Sequence, residues 1–472
     1  MTAPIKVKLL GIVGFLAAVE IASGTLQGFY TPIVPQITQH LSISTAGANW
    51  FEAAQLVVSA LIVPVLARLG DLKGHRKVLL GSAIATAIAS WGVALAPNFQ
   101  TFLVAWSLQG FFTVWLPLEV SIIHRRTAET GAQQRLTRRS AAVLVVFLEL
   151  GVIAAALTAG QLVGTMSMNS LLMIPAAVVT LACLAIAWGV PETPALDKGK
   201  LDWAGFGLVT VAILILMAGL ILIRLQGPGS PLAWLVFALG LAAFVPFWRH
   251  QAAHAEPLVD VKLLATRGQW PVQLTAFLFG MSVLGAQIPL STYAQADPAK
   301  LGYGLGATPG FVSTLIAIYV VSLVIGAALL PAMAAIFGAR NGLIISALLV
   351  SIGYGLWVPF HSSTVIAMVN MLIAGIGSGA LVASLPAAAA ATAPEERTGF
   401  VTGMTNTTKT LGGAIASAIF AIALSSTGAM GDPSDVAPLS GYITVWSVCA
   451  LSAVAAAISL LVVPKAAFSD RA

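Results

Sequence analysis

The sequence predicts an all-α integral membrane protein, and three observations carry that prediction. The first is composition: of 472 residues, 58% are hydrophobic and only 8% charged, with a mean hydropathy of +0.95. A soluble domain carries roughly 25% charged residues. This chain has too little charge to cover a water-facing surface, so the bilayer is its expected solvent. The second is a series of fourteen apolar runs, each near the ~20 residues a spanning helix needs. The third is the placement of Lys and Arg, which gather in alternate loops between those runs.

In chain order the runs cover roughly 9–31, 48–69, 78–96, 100–123, 140–163, 170–190, 203–225, 231–249, 270–293, 309–334, 341–359, 363–389, 400–425 and 440–463, the eighth being the shortest. If the N-terminus is cytoplasmic, all but three of the 23 basic residues fall in cytoplasmic segments. The exceptions are Arg224 and Lys300, outside, and Lys409, within a run. That asymmetry predicts cytoplasmic N- and C-termini, and it supports the run count, because one spanner more or fewer would swap every later loop to the other side. Lys6 and Lys8 precede a long apolar run without a small-residue cleavage pattern, so the first run is expected to be an uncleaved spanner. The net charge of +6 reads as topology rather than affinity for nucleic acid. Cys183 and Cys449 both sit in apolar runs, where packing is the expectation and a disulfide or metal site is not.

Between the second and third runs lies a dense polar turn, Ala67–Lys77, which packs Arg68, Asp71, Lys73, His75, Arg76 and Lys77 around Gly74. Gly74 permits a tight reversal. Asp71 stands at the C-terminal end of the second helix, a poor place for an anion, and so calls for a cation or the N-terminus of another helix. Read in order, Pro64 to Lys77 resembles the loop 2–3 signature of the major facilitator superfamily, G-x-L-a-D-r-x-G-r-k. Asp71, Gly74 and Arg76 are in place, Ala67 stands at the first Gly, His75 stands where an Arg is usual, and Lys77 ends the expected gating motif.

Further stretches extend the resemblance, which points to the fourteen-spanner drug:proton antiporter branch. Trp50 opens the second run as in that branch, and Gly151, Gly160 and Gly164 reproduce its G-x8-G-x3-G spacing, with Thr165 in place of the following proline. Thr292-Tyr293-Ala294-Gln295, Leu301-Gly302-Tyr303-Gly304, Glu395-Glu396-Arg397-Thr398-Gly399 and Lys409-Thr410-Leu411-Gly412-Gly413 are similar to its later segments. The fourth run keeps Gln109-Gly110 of the branch's R-x-x-Q-G, but Trp106 occupies the Arg position.

Ionisable residues within spans are costly and are functional candidates by default. Glu20, Glu149 and Lys409 fall near the middle of the first, fifth and thirteenth runs. Glu52 lies about one turn from an outer end, and Glu119 roughly 7–8 Å from an inner end. Ser23, Gln27, Tyr30 and Thr31 follow Glu20 on one helical face, a polar stripe suited to a wet cavity. Glu20 and Glu149 are the candidate proton-coupling groups, each with structural bonding as its alternative. Glu52 and Glu119 read as gate or interface residues. Lys409 follows Asn406, Thr407 and Thr408 and is a candidate for anion contact or for pairing with a Glu of the first half. Trp106, Gln109 and Thr113 share a face of the fourth run that suits an aromatic substrate, a packed Trp being the equal alternative. With Gln27, Tyr30 and Lys409 they form the expected substrate set. Gly151, Gly160 and Gly164 are expected to let helices approach closely. The histidines of loops and helix ends, His250 and His254 among them, receive no role.

The resemblance implies a major facilitator fold of fourteen transmembrane helices: residues 1–190 as one six-helix bundle, 191–268 as two extra central helices with a cytoplasmic linker, and 269–472 as the second bundle. It implies proton-coupled efflux of amphipathic or aromatic small molecules such as drugs, from the bacterial inner membrane, by a monomer with protons and substrate as partners. The alternative is an exporter or importer of one specific metabolite or siderophore with non-standard coupling. No nucleophile elbow, phosphate loop or metal-ligand spacing is present, so neither an enzyme nor a cofactor is expected.

Overall fold

The computed structural model describes residues 13–128, 133–192, 195, 199–394, 397–425 and 436–463. Among these the chain is helical, with one isolated bridge between Val163 and Met166 and no named strand. Helical segments fall in all fourteen apolar runs. The second to sixth are α2 (Asn49–Lys73), α3 (His75–Ala94), α4 (Phe99–Gln109 and Trp115–Arg126), α5 (Gln133–Leu162) and α6 (Met168–Gly189), preceded by α1 (Leu16–Gly28). Then come α7 (Trp203–Gln226), α8 (Pro231–Ala242 and Phe244–Ala253), α9 (Trp270–Val283 and Gln287–Gln295) and α10 (Pro309–Phe337). The last four are α11 (Ala339–Gly355), α12 (Thr364–Ala391), α13 (Thr398–Ala423) and α14 (Leu439–Val462). Eleven of the described helices are long and apolar enough to cross a membrane by themselves.

The breaks in α1, α4, α8 and α9 share a cause. Proline lacks an N–H and its ring clashes with the carbonyl four residues earlier. α1 stops at Gly28, four before Pro32, and α8 breaks after Ala242, four before Pro246. In α4 the 3₁₀ stretch Gly110–Val114 contains Thr113, four before Pro117; in α9 the gap holds Gly285, at φ +83°, four before Pro289. Proline alone does not force a break, since Pro64, Pro175, Pro331 and Pro386 lie inside unbroken helices.

Two apolar cores result. One gathers residues of α1 to α6, including Leu16, Phe29, Leu79, Trp115 and Leu172. The other gathers α9 to α14, including Phe279, Leu315, Trp357, Phe420 and Trp446. A third cluster joins α2, α7 and α13 through Trp50, Leu56, Leu216, Leu220 and Ala414, so α7 packs where the halves meet. Glycine lets backbones approach: a Cβ on Gly28 would lie 2.2 Å from the Val152 carbonyl oxygen, and one on Gly412 would lie 2.1 Å from that of Phe277.

Of the glycine series in α5, Gly151 abuts the Ile21 carbonyl oxygen (2.7 Å from its Cβ position) and Gly160 abuts Pro309 and Ser313. Gly164 departs from the expectation. It lies beyond the last residue of α5 at φ +86° with open space where a side chain would point, so it shapes a turn and packs no helix.

Candidate functional site: buried carboxyls between the two halves

The turn Ala67–Lys77 begins as the end of α2. Gly74, at φ 100° and ψ 130°, closes α2 by donating its N–H to the Gly70 carbonyl (2.9 Å) and opens α3. Asp71 finds a partner on the next helix: His75 Nε2 lies 3.3 Å from its Oδ1. Arg76 reaches the C-terminal end of α6, donating to the Ala187 carbonyl (2.7 Å) and to Glu192 (2.9 Å), where a cation suits the helix dipole. Lys77 lies 3.9 Å from Glu192. The motif thus ties α2, α3 and α6 together within the first half. Glu395 and Glu396 of the later motif lie outside the described residues.

At the other end of the bundle the halves are joined directly. Thr31 donates to Gln287 (3.1 Å), Gln36 to Gln295 (2.9 Å), Gln295 to the Pro32 carbonyl (2.9 Å), and Ser313 to the Ala156 carbonyl (2.6 Å). Glu52 lies against the Gly285 backbone N–H. Two members of the predicted stripe of α1 serve different ends here: Thr31 belongs to this seal, and Ser23 accepts a hydrogen bond from the exposed Gln27 (3.3 Å).

Below the seal, Glu20 and Glu119 are fully buried, and their carboxyls approach each other closely enough to interact directly. Their oxygens have no other partner among the described residues. Two carboxylates cannot bond to each other, but one proton between them can join them. Glu119 is therefore a neighbour of Glu20 where α1 meets α4, the interface role of the two its position suggests. The sequence holds no signal for this contact, because it depends on how α1 meets the broken α4. Glu149 acts on Glu20 electrostatically, and it also acts on Lys409 of the opposite half, with no direct ion pair between them. Lys409 borders a cavity of about 30 Å³ with Thr405, Asn406, Phe279 and Pro386.

On the aromatic face of α4, Trp106 takes the packed alternative and Thr113 leaves the shared face. Trp106 is buried, stacked on Phe102 at a centroid distance of 5.6 Å and packed on Tyr30 at 4.5 Å. Gln109 is fully buried and donates to Tyr30 Oη (2.9 Å) and Ser90 Oγ (3.0 Å). Thr113 lies in the 3₁₀ stretch and bonds the Gly110 carbonyl (2.8 Å), so it does not continue the α-helical face of Trp106 and Gln109. In this conformation Trp106, Gln109 and Tyr30 form a packed cluster, while Gln27 is exposed.

A second group escaped the sequence reading altogether. Asp202, His250 and His254, near the end that carries the basic turn, place their ligand atoms within 4.8 Å of one another. The i,i+4 pair His250 and His254 was the available signal; Asp202 is 48 residues from His250 and joins it only through the α7–α8 hairpin.

Long apolar helices packed in two halves, with ionisable groups buried among them, are the architecture of a multi-pass membrane transporter rather than an enzyme. The model of the Major Facilitator Superfamily matches residues 16–296 and 272–471, and the chain belongs to that family. It is 30% identical over 279 residues to the uridine/deoxyuridine transporter of Lactococcus lactis subsp. cremoris, a match covering 56% of this chain and 54% of the relative. It is 25% identical over 416 residues to the cephamycin export protein CmcT of Amycolatopsis lactamdurans, covering 86% and 83%. The lincomycin resistance protein of Streptomyces lincolnensis is 28% identical over 259 residues, covering 54% and 52%. The chain thus spans about half the length of several curated relatives it matches. Among solved structures, the POT family transporter PepTSo superposes with TM-score 0.68 at 13% identity, covering 95% of this chain and 97% of that one. A mutant of the nucleoside transporter NupG gives 0.64 at 14%, covering 95% and 99%. At these identities the structures show the fold.

Proposed function

We propose that the protein is a proton-coupled exporter of amphipathic or aromatic small molecules, resident as a monomer in a bacterial inner membrane. Residues 1–190 and 269–472 act as the two moving bundles, and 191–268 as a central pair with its linker. The basic loops face the cytoplasm, as do both termini, by the positive-inside rule. The contacts that join the bundles at the opposite end then close the outside.

The observation that carries the reading is the Glu20–Glu119 pair. Two neighbouring carboxyls, both buried and without other partners among the described residues, have no countercharge beside them, and a single shared proton removes their mutual repulsion. Release of that proton when the bundles rock supplies the coupling that alternating access needs. Glu149 and Lys409 then report across the interface whether the pair is charged. Gln27 and Lys409 contact the substrate, and the Tyr30–Trp106–Gln109 cluster rearranges to receive its aromatic part. Asp71, His75, Arg76 and Lys77 form the latch that engages the other bundle when the outside is open. Export is favoured by the cephamycin exporter, which aligns over most of both chains.

The test is transport by the purified protein in vesicles with an imposed pH gradient. Drug flux that follows the gradient, and that Glu20→Gln abolishes while the protein still inserts, is the expected result. Flux indifferent to the gradient rejects proton coupling. A second reading, nucleoside uptake, rests on the 30% identity to the uridine/deoxyuridine transporter. Radiolabelled uridine in the same vesicles separates the two.

A further inference from the structure

The α7–α8 hairpin carries three potential ligands that the transport reading does not use. Asp202 caps α7, its Oδ1 accepting the Gly205 N–H (2.8 Å). Its carboxylate is nearly inaccessible, with the side chain 1% exposed, and its Oδ2 accepts from Gln251 Nε2 (2.7 Å). Gln251 is itself fixed, because its Oε1 accepts the Val259 N–H (2.9 Å). The carboxylate is therefore held in place from two sides before any ligand arrives.

Two imidazoles converge on the same oxygen. His250 Nε2 lies 3.0 Å and His254 Nε2 3.6 Å from Asp202 Oδ1. The spacing is that of two residues one turn apart at the end of α8. One donated proton satisfies the contact with His250. It does not account for a second imidazole nitrogen aimed at the same oxygen. A cation does: for bonds of about 2.0–2.1 Å in tetrahedral geometry, ligand atoms stand about 3.3–3.4 Å apart. The observed 3.0 and 3.6 Å bracket that value.

We propose that Asp202, His250 and His254 form a binding site for a divalent transition metal of the zinc class. Two imidazole nitrogens and one carboxylate oxygen suit Zn²⁺, Co²⁺ or Ni²⁺, whereas Mg²⁺ and Ca²⁺ want all-oxygen shells. The His250 and His254 side chains are 31% and 39% exposed, which leaves a path for the ion and room for water as a remaining ligand. Binding at His250 Nε2 moves that ring's proton to Nδ1, so the imidazole binds as its other neutral tautomer. The position gives the ion a mechanical role. Asp202 begins α7 and the histidines end α8, so the metal clamps the open end of the hairpin. Glu256, two residues past His254, accepts the Lys200 N–H (2.9 Å) and lies 3.5 Å from Arg68 in the basic turn. A clamped hairpin therefore holds Glu256 beside the turn between α2 and α3.

The test uses the full-length protein in detergent, stripped with a chelator and titrated with Zn²⁺ and, separately, Co²⁺. Equilibrium dialysis gives stoichiometry, the visible bands of Co²⁺ report the ligand set, and the thermal midpoint reports the clamp. The proposal expects one ion per chain, a raised midpoint, and affinity reduced by more than about tenfold in both His250→Gln and His254→Gln. These positions are partly exposed and close no core, so both variants are expected to fold. Absence of stoichiometric binding at micromolar free metal overturns the proposal. So does binding that both variants retain at wild-type affinity, or binding that Mg²⁺ displaces equally well.

Discussion

Gln36 and Gln295 hold each other across the two halves of the molecule. Gln36 Nε2 donates to Gln295 Oε1 at 2.9 Å, and Gln295 Nε2 donates to the Pro32 carbonyl at 2.9 Å. Neither glutamine shares a bundle with its partner, so both bonds must break when this end opens. Neutral bonds of this kind contribute about 0.5–1.5 kcal/mol each. Gln295→Ala removes both and should shift the balance toward the state open at this end by roughly 1–3 kcal/mol, about 5- to 150-fold. Spin labels at the exposed Gln39 and Lys300, in a background without Cys183 and Cys449, measure it. The long-distance population should grow in the variant, and an unchanged distribution would show that the seal lies elsewhere.

Glu119 should matter as much as Glu20. If one proton is shared between them, Glu119→Gln leaves an amide that hydrogen-bonds Glu20 without titrating. Gradient-driven flux should then fall by more than about tenfold, which corresponds to ~1.4 kcal/mol in the barrier, while exchange of substrate across vesicles without a gradient persists. A variant that keeps full gradient response would make Glu119 a packing residue. Because the amide replaces the protonated carboxyl and keeps its hydrogen bond to Glu20, the thermal midpoint should hold.

What the sequence made legible follows from how local each feature is. Spans, the turn at Gly74 and the packing at Gly151 and Gly160 are set by residues near in sequence or by uniform apolarity, and they could be read. The interruption of α4 was also written locally, in Pro117, yet it undid the shared face assumed for Trp106 and Thr113. Glu20 meeting Glu119, and Asp202 meeting His250, depend on helix rotations that no single helix encodes. Gly164 was misplaced because spacing alone does not distinguish a helix interior from the turn that follows it.

Glycines that look alike in sequence should respond oppositely to alanine. At Gly28 the new Cβ would lie 2.2 Å from the Val152 carbonyl oxygen, a backbone atom that cannot swing away, so α1 and α5 must separate. Gly81, within α3, has nothing within 4 Å of the added atom. Gly28→Ala is expected to cost about 1–3 kcal/mol through overpacking, and Gly81→Ala to gain up to ~1 kcal/mol through helix propensity. Thermal unfolding in detergent should lower the midpoint in the first and leave or raise it in the second. Equal midpoints would mean the close approach of α1 and α5 is not present in the detergent-solubilised protein.

Glu149 and Lys409 belong to opposite bundles and lie close enough to interact electrostatically, without an ion pair. Removing one charge leaves the other in a site poor in compensating groups, a loss that removal of both avoids. Lys409→Gln should therefore reduce folded yield and flux more than the double variant Glu149→Gln/Lys409→Gln does. The coupling in a double-mutant cycle should be of order 0.5–3 kcal/mol. Its size should also depend on conformation: the term belongs to the interface, so a nanobody or inhibitor that fixes one state should change it. A cycle that closes additively, within about 0.3–0.5 kcal/mol, would place the two residues on independent paths. It would leave the charge of Lys409 to the substrate alone.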